Sequence, residues 1–480
     1  MGIPYDDADE NSIYMYSQYL EGKTFSEILE ESKKWDYAVN KTDFSSKKNK
    51  GKCGNLLEEK FFGYQANSIQ EPDFPKAGVE LKVTPIDILK NGDMSAGERL
   101  VLTMISFNKA IVDDFYESDA WHKCRNILLV HYIRNNEIAR FDNRIKYVNL
   151  FKPLEKDKLV FERDYAIIVD FIKRGKAEEL SESYTNYLGA CTKGIDSSKT
   201  VAQFYPPYAR TKTRAYCFKR QYMQYILDVY ILHKHSKYEV IVDKEELEVN
   251  SLEDIVISKL KHFYGKSTYE LCNEFGIKYD KKANNNALWT TIVYRILGIK
   301  STLAEEFVKA GITVKVSRVS KTNRIEECSP LPDYKFKELI KETWEESTLF
   351  KYLLENKFLW VTFKNNGDDY YLDKAQFWHV PYEDLISTVK QEWIAIQSVV
   401  KKGVTFTVKG GRVYNDIPGL GQTKIIHSRP APTYAAYKLK DGFTKGDIRH
   451  NADELPDGQF MTKQSFWINY SYLSKQLGYK

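Results

Sequence analysis

Three side chains in the stretch Glu71–Thr84, EPDFPKAGVELKVT, are of the types that can do chemistry together: Asp73, Glu80 and Lys82. Two carboxylates supply hard oxygen ligands for a divalent cation, and a neighbouring amine can orient or deprotonate a water. That combination hydrolyses phosphodiesters. The bare spacing Asp-x6-Glu-x-Lys is common enough to arise by chance, and its plain alternative is a half-exposed strand with two solvated charges.

The elements that must position these groups are legible in the pattern. Val79, Leu81 and Val83 alternate with Glu80, Lys82 and Thr84, so a strand would bury the first set and project Glu80 and Lys82 side by side. Asp73 precedes them across a turn containing Pro75 and Gly78. Upstream, GNLLEEKFFG (54–63) places Leu57, Phe61 and Tyr64 on one face of a short helix. Glu58 and Glu59 lie mid-helix, and one of them is expected to be merely solvated. Residues 86–98 read as a polar turn, and 99–107 as a strand pairing antiparallel with the central one. Residues 126–133, NILLVHYI, suit a buried strand, and 159–172 a strand followed by a helix. Residues 11–40 read as helical, as does the chain from Met223.

The 480 residues imply two or three domains. A hydrophobic content of 42% with 29% charged residues is an ordinary globular balance, and the net charge of +5 is compatible with nucleic acid. No apolar run approaches the roughly 20 residues of a membrane helix, so no membrane partner is expected. The acidic N-terminus does not read as a signal peptide. Six scattered cysteines form no Cys-x-x-Cys pair, which disfavours a zinc ribbon or disulfide framework and fits the cytoplasm. His233 and His235 read as a solvated helix end.

Basic segments recur. SSKKNKGK (45–52) reads as a solvated loop or a phosphate-contacting one. Between Arg210 and Arg220 stand five basic residues and no acid, interleaved with Tyr216 and Phe218 and preceded by Tyr205 and Tyr208. That mixture suits either a surface hairpin or groove and backbone contacts.

Lys50-Gly51-x-x-Gly54-x-Leu56-Leu57-Glu58, followed by Pro72-Asp73-Phe74 and Gly78-Val79-Glu80-Leu81-Lys82, resembles MutH, the GATC-directed nicking endonuclease of mismatch repair. MutH shares its catalytic domain with type II restriction enzymes that cut GATC. Arg214-Ala-Tyr216-Cys-Phe218-Lys219-Arg220 resembles a late segment of that family. Tyr187-Leu188 with Thr192-Lys193-Gly194 resembles its DNA-reading loop, without the expected arginine–proline pair. The resemblance covers roughly residues 15–235. It implies the PD-(D/E)xK fold, an α/β (α+β) arrangement with a mixed sheet flanked by helices. It also implies Mg²⁺ held by Asp73, Glu80 and the Leu81 carbonyl, with Lys82 acting on the attacking water and Glu58 completing the metal site or a second one. Lys50 would touch the DNA backbone near the cut. Thr192, Lys193, Gly194, Arg214, Tyr216 and Lys219 would contact DNA.

The second half repeats the first. Phe307, Lys309, Ala310, Gly311, Thr313 and Lys315 match Phe74, Lys76, Ala77, Gly78, Glu80 and Lys82 at a constant displacement of 233 residues. Two tandem MutH-like domains are therefore expected: 1–235 catalytic, 236–258 a linker, and 259–480 a degenerate copy. In the copy Glu306 stands for Asp73, Thr313 replaces Glu80, and no acid replaces Glu58. Threonine is a poor Mg²⁺ ligand, so this half is expected to bind DNA without cutting, or to serve as a buttress. Lys424, His427 and Arg429, the last followed by Pro430, are its candidate DNA contacts.

The leading expectation is a type II restriction endonuclease making double-strand cuts at GATC with 5′-phosphate ends, working as a monomer or DNA-bridged dimer. The alternatives are a strand-specific nicking enzyme of repair and a noncatalytic DNA-binding scaffold.

Overall fold

The computed structural model describes residues 2–39, 44, 52–66, 70–193, 200–280 and 285–480. The chain forms two units, one of Met1–Leu252 with Leu303–Gly311 and the other of Glu253–Thr302 with Ile312–Lys480. The stretch 236–258 is mostly structured, with helices at Lys244–Val249 and Leu252–Lys261. No helix among the described residues is long and apolar enough to cross a membrane.

The first unit is built on β1 (Glu80–Ile88), β2 (Met94–Ala96), β3 (Leu100–Met104), β4 (Ile127–Ile133), β5 (Ile145–Phe151), β6 (Leu188–Thr192), β7 (Thr200–Ala202), β8 (Arg210–Lys212) and β9 (Arg214–Phe218). One mixed sheet runs β2-β1-β4-β5, with β1 and β4 parallel. As expected, β4 is a buried apolar strand. The expected pairing of 99–107 with β1 is corrected: β3 pairs antiparallel with β9 in a second sheet, β3-β9-β6. A strand has two edges, and β4 and β2 occupy both edges of β1. The polar turn expected at 86–98 is a hairpin between β1 and β2. Residues 159–172 lie wholly within one helix, Glu155–Lys173, whose apolar residues recur at helical rather than strand spacing. From that helix the buried Asp164 accepts the backbone N–H groups of Asn186, Tyr187 and Leu188 at 2.7–2.9 Å, fixing the entry to β6.

An aromatic core joins the elements that carry Glu58 and Asp73. Phe62 and Tyr64 meet Phe74 edge-on at 5.0 and 5.2 Å between ring centroids. This clamps the helix bearing Glu58 onto the loop bearing Asp73. Edge-to-face pairs of this kind contribute about 0.5–1.5 kcal/mol each beyond their buried area.

The second unit repeats the topology. Its strands are β10 (Ile312–Val319), β11 (Ser329–Tyr334), β12 (Lys357–Asn365), β13 (Tyr370–Trp378), β14 (Phe406–Lys409), β15 (Arg412–Asn415), β16 (Ile426–Pro430), β17 (Tyr437–Lys438), β18 (Thr444–Lys445), β19 (Ala452–Glu454), β20 (Phe460–Thr462) and β21 (Gln464–Ile468). β10 pairs parallel with β12, and β12 antiparallel with β13, as β1, β4 and β5 do. β11-β21-β16 reproduces β3-β9-β6.

Candidate active site

The spacing of Asp73 and Glu80 becomes intelligible in the loop between them. Phe74 and Val79 exchange backbone hydrogen bonds at 2.9 and 3.2 Å, closing a small antiparallel bridge. The residues just outside a bridged pair face each other across it, and these are Asp73 and Glu80. Gly78 completes the turn at φ +66, and a Cβ there would lie 2.8 Å from the Arg125 guanidinium. Glycine alone meets both demands.

The side chains knit together. Leu81 N–H donates to Asp73 Oδ2 at 2.8 Å, and Asp73 N–H to Glu80 Oε2 at 3.3 Å. Lys82 Nζ lies 2.7 Å from Glu80 Oε1 and donates to the Leu102 carbonyl at 3.1 Å. Glu80 is only 2% exposed, so it is not the solvated charge of the plain alternative. Lys82, Lys123 and the Asp73 backbone enclose it.

Lys123 was not foreseen. It is buried, on the short helix Asp119–Cys124, and its Nζ lies 2.8 Å from Glu80 Oε2 while also donating to the Glu71 carbonyl at 2.5 Å. It stands some forty residues from Glu80 with nothing in its neighbourhood to mark it. Only the packing of that helix ahead of β4 reveals it.

Glu58 sits where its helix loosens into a wider turn, Leu57–Phe62, a distortion frequent at functional sites. Burial, then the charges of Asp73 and Glu80, push its carboxyl up to about 8. Burial and then Glu80 push Asp73 up to about 6, against the opposing pull of Lys123 and Lys82. Glu59 is buried as well, so neither glutamate of the pair is freely solvated, contrary to expectation.

Asp73 and Glu80 raise the proton affinity of Glu58, and Glu80 that of Asp73, so the cluster calls for positive charge. The Tyr64 hydroxyl is buried without a partner among the described residues and feels the same carboxylates. This donor set is hard and anionic, which fits a divalent ion such as those of oxygen-ligand sites. Among the described residues no three acid, histidine or cysteine side chains are already gathered closely enough to hold one. Glu80 is turned to Lys82 and Lys123 instead, which is where a carboxylate goes when its charge must be met by the chain itself.

The expected DNA contacts divide. Thr192 and Lys193 are exposed at the end of β6, and Lys424 and Arg429 are exposed in the second unit, with the Arg429 guanidinium 4.7 Å from the Trp467 ring. Arg214, Tyr216, Lys219 and His427 are buried. Arg214 donates to the Glu178 carbonyl, Lys219 to the carbonyls of Thr185 and Ala310, and His427 Nδ1 lies 2.6 Å from Asn469 Oδ1. As placed, these four side chains are packed inside their units rather than presented on a surface. Lys50 and Gly194 lie outside the described residues.

A family model for the DNA mismatch repair enzyme MutH matches residues 62–164, a span that includes Asp73, Glu80, Lys82 and Lys123. Type II restriction enzyme Sau3AI of Staphylococcus aureus is 33% identical over 465 residues, 90% of this chain and 93% of that one. The mismatch repair protein MutH of Serratia proteamaculans is 26% identical over 41% of this chain and 81% of its own length. MutH of Shewanella woodyi is 27% identical over 39% of this chain and 79% of its own.

Proposed function

Since the chain belongs to the Sau3AI family of type II restriction enzymes, we propose that Asp73, Glu80, Lys82 and Glu58 form the centre with which it cuts both strands of duplex DNA at GATC, leaving 5′-phosphate ends, with Mg²⁺ as cofactor in the cytoplasm. The observation that carries this reading is the joining of Asp73, Glu80 and Lys82 across the Phe74–Val79 bridge.

Asp73, Glu80 and Glu58 would hold the ion, with the Leu81 carbonyl beside them. When bound, the ion neutralises charge growing on the phosphate oxygens and makes a water a better nucleophile. Lys82, steadied by Glu80 and the Leu102 carbonyl, orients that water or takes its proton. Lys123 fixes the Glu80 carboxylate. Glu58 keeps its proton near neutral pH until positive charge arrives, as its raised pKa implies.

In this reading the first unit is catalytic, and the second binds DNA through Lys424 and Arg429 and stimulates the first. The restriction-enzyme relative matches 90% of this chain, whereas the MutH relatives match about two fifths of it, which favours double-strand cutting over nicking. Each chain has one complete centre, so two strands require a DNA-bridged dimer or two successive events. The test is digestion of plasmids carrying one or two GATC sites with Mg²⁺. Linear product with ends at GATC, formed faster on two sites, supports the reading. Nicked circles alone, or no site-specific product, removes it.

A further inference from the structure

In the second unit Lys315 occupies the place of Lys82. β10 pairs with β12 in the register of β1 with β4, Thr313 opposite Phe358 as Glu80 is opposite Ile127. Lys315 Nζ donates to the Pro330 carbonyl of β11 at 2.8 Å, as Lys82 donates to the Leu102 carbonyl of β3.

The surroundings have changed sign. Lys82 faces Glu80, whereas the counterpart of Glu80 is the uncharged Thr313. Counting back four residues from the partner strand, the counterpart of Lys123 is Leu354. Among the described residues no carboxylate faces Lys315. Burial is the single cause that pulls its ammonium down to about 8. The side chain is half-buried, so it is desolvated yet reachable.

A desolvated ammonium with no acid facing it repels a metal ion and favours an anion. The fold sets it where the first unit's chemistry meets a phosphodiester.

We propose that the altered centre of the second unit is a metal-independent phosphate site, in which Lys315 holds a backbone phosphodiester of DNA without cutting it. This rests on the reading above that the second unit binds DNA. The site grips the backbone rather than base edges, so it adds affinity without sequence information.

The test is binding of a GATC duplex to the full chain in EDTA, followed by fluorescence anisotropy across a KCl series, for wild type, Lys315→Met and Lys315→Arg. Losing one phosphate contact lowers the slope of log K against log[KCl] by about 0.9. The expected result is that decrease with weaker binding for Lys315→Met, and recovery of affinity in Lys315→Arg. A second measurement is melting. Inorganic phosphate is expected to raise the melting temperature of wild type and not that of Lys315→Met, which itself melts no lower than wild type because it loses an uncompensated charge. Equal slopes and affinities for wild type and Lys315→Met overturn the proposal. Wild type that neither binds the duplex nor cuts it would instead overturn the function proposed for the whole chain.

Discussion

Lys123 Nζ and Glu80 Oε2 lie 2.8 Å apart with both side chains more than nine-tenths buried. The acid proposed above as a cation ligand is thus pinned by an amine from a distant helix. Replacing Lys123 by Met leaves a buried carboxylate with one ammonium in place of two. Breaking a buried pair from one side costs about 3–5 kcal/mol. Chemical denaturation of Lys123→Met is expected to show a loss of that order, together with a fall in cleavage rate that added Mg²⁺ does not fully restore. Unchanged stability and rate would remove Lys123 from the site.

The raised carboxyls set the pH behaviour. Glu58 rises to about 8 and Asp73 to about 6, so the folded, metal-free chain binds more protons than the unfolded one between the ordinary carboxyl range and these values. Stability therefore falls as pH rises through that window, by linkage. Melting in EDTA is expected to decline from pH 5 to 8, and to decline less in Glu58→Gln.

The same protons compete with the cation. The Mg²⁺ concentration giving half-maximal cleavage is expected to fall as pH rises from about 6 to about 8. In Glu58→Gln the part of that dependence nearest pH 8 is expected to disappear. A flat dependence in wild type would contradict a cation held by these carboxylates.

Gly78 is a test of the loop. Gly78→Ala forces a side chain into the left-handed region and against Arg125, a strain of about 1–3 kcal/mol. Cleavage is expected to fall at least tenfold while Lys76→Ala, on the same loop but exposed and paired with Asp7, stays close to wild type.

The buried Lys309 is the corresponding probe of the chain's organisation. It lies between Asp157 at 2.7 Å and Glu305 at 2.8 Å, with the Tyr225 ring 4.2 Å away, all within the first unit. Lys309→Met is expected to lower stability by about 3–5 kcal/mol in denaturant melts.

How much of this could be read beforehand follows from what is local. The alternation 79–84, the apolar run 126–133 and the Asp73–Glu80 spacing are short-range patterns, and each appears in the fold as a strand or a closed loop. The repeat between Lys82 and Lys315 was legible because it needs only order and spacing. What was not legible depends on distant packing: the pairing of β3 with β9, the arrival of Lys123, and the burial of Glu59, Arg214, Tyr216, Lys219 and His427. A basic residue between aromatics looks alike whether its strand is an edge or a centre, and β9 is the centre of its sheet. The segment 303–311 misleads for the same reason. Glu306, aligned with Asp73, accepts the Ile241 N–H in the first unit at 3.0 Å, a partner its own sequence neighbourhood does not announce.

The most direct measurement is the digestion of unmethylated plasmid with Mg²⁺ by wild type, Glu80→Ala and Lys82→Ala, with sequencing of the ends. The account predicts linear product with 5′-phosphate ends at GATC for wild type, and a loss of at least about a thousandfold in either variant. Site-specific cutting that persists in Glu80→Ala, or that proceeds in EDTA, would contradict it.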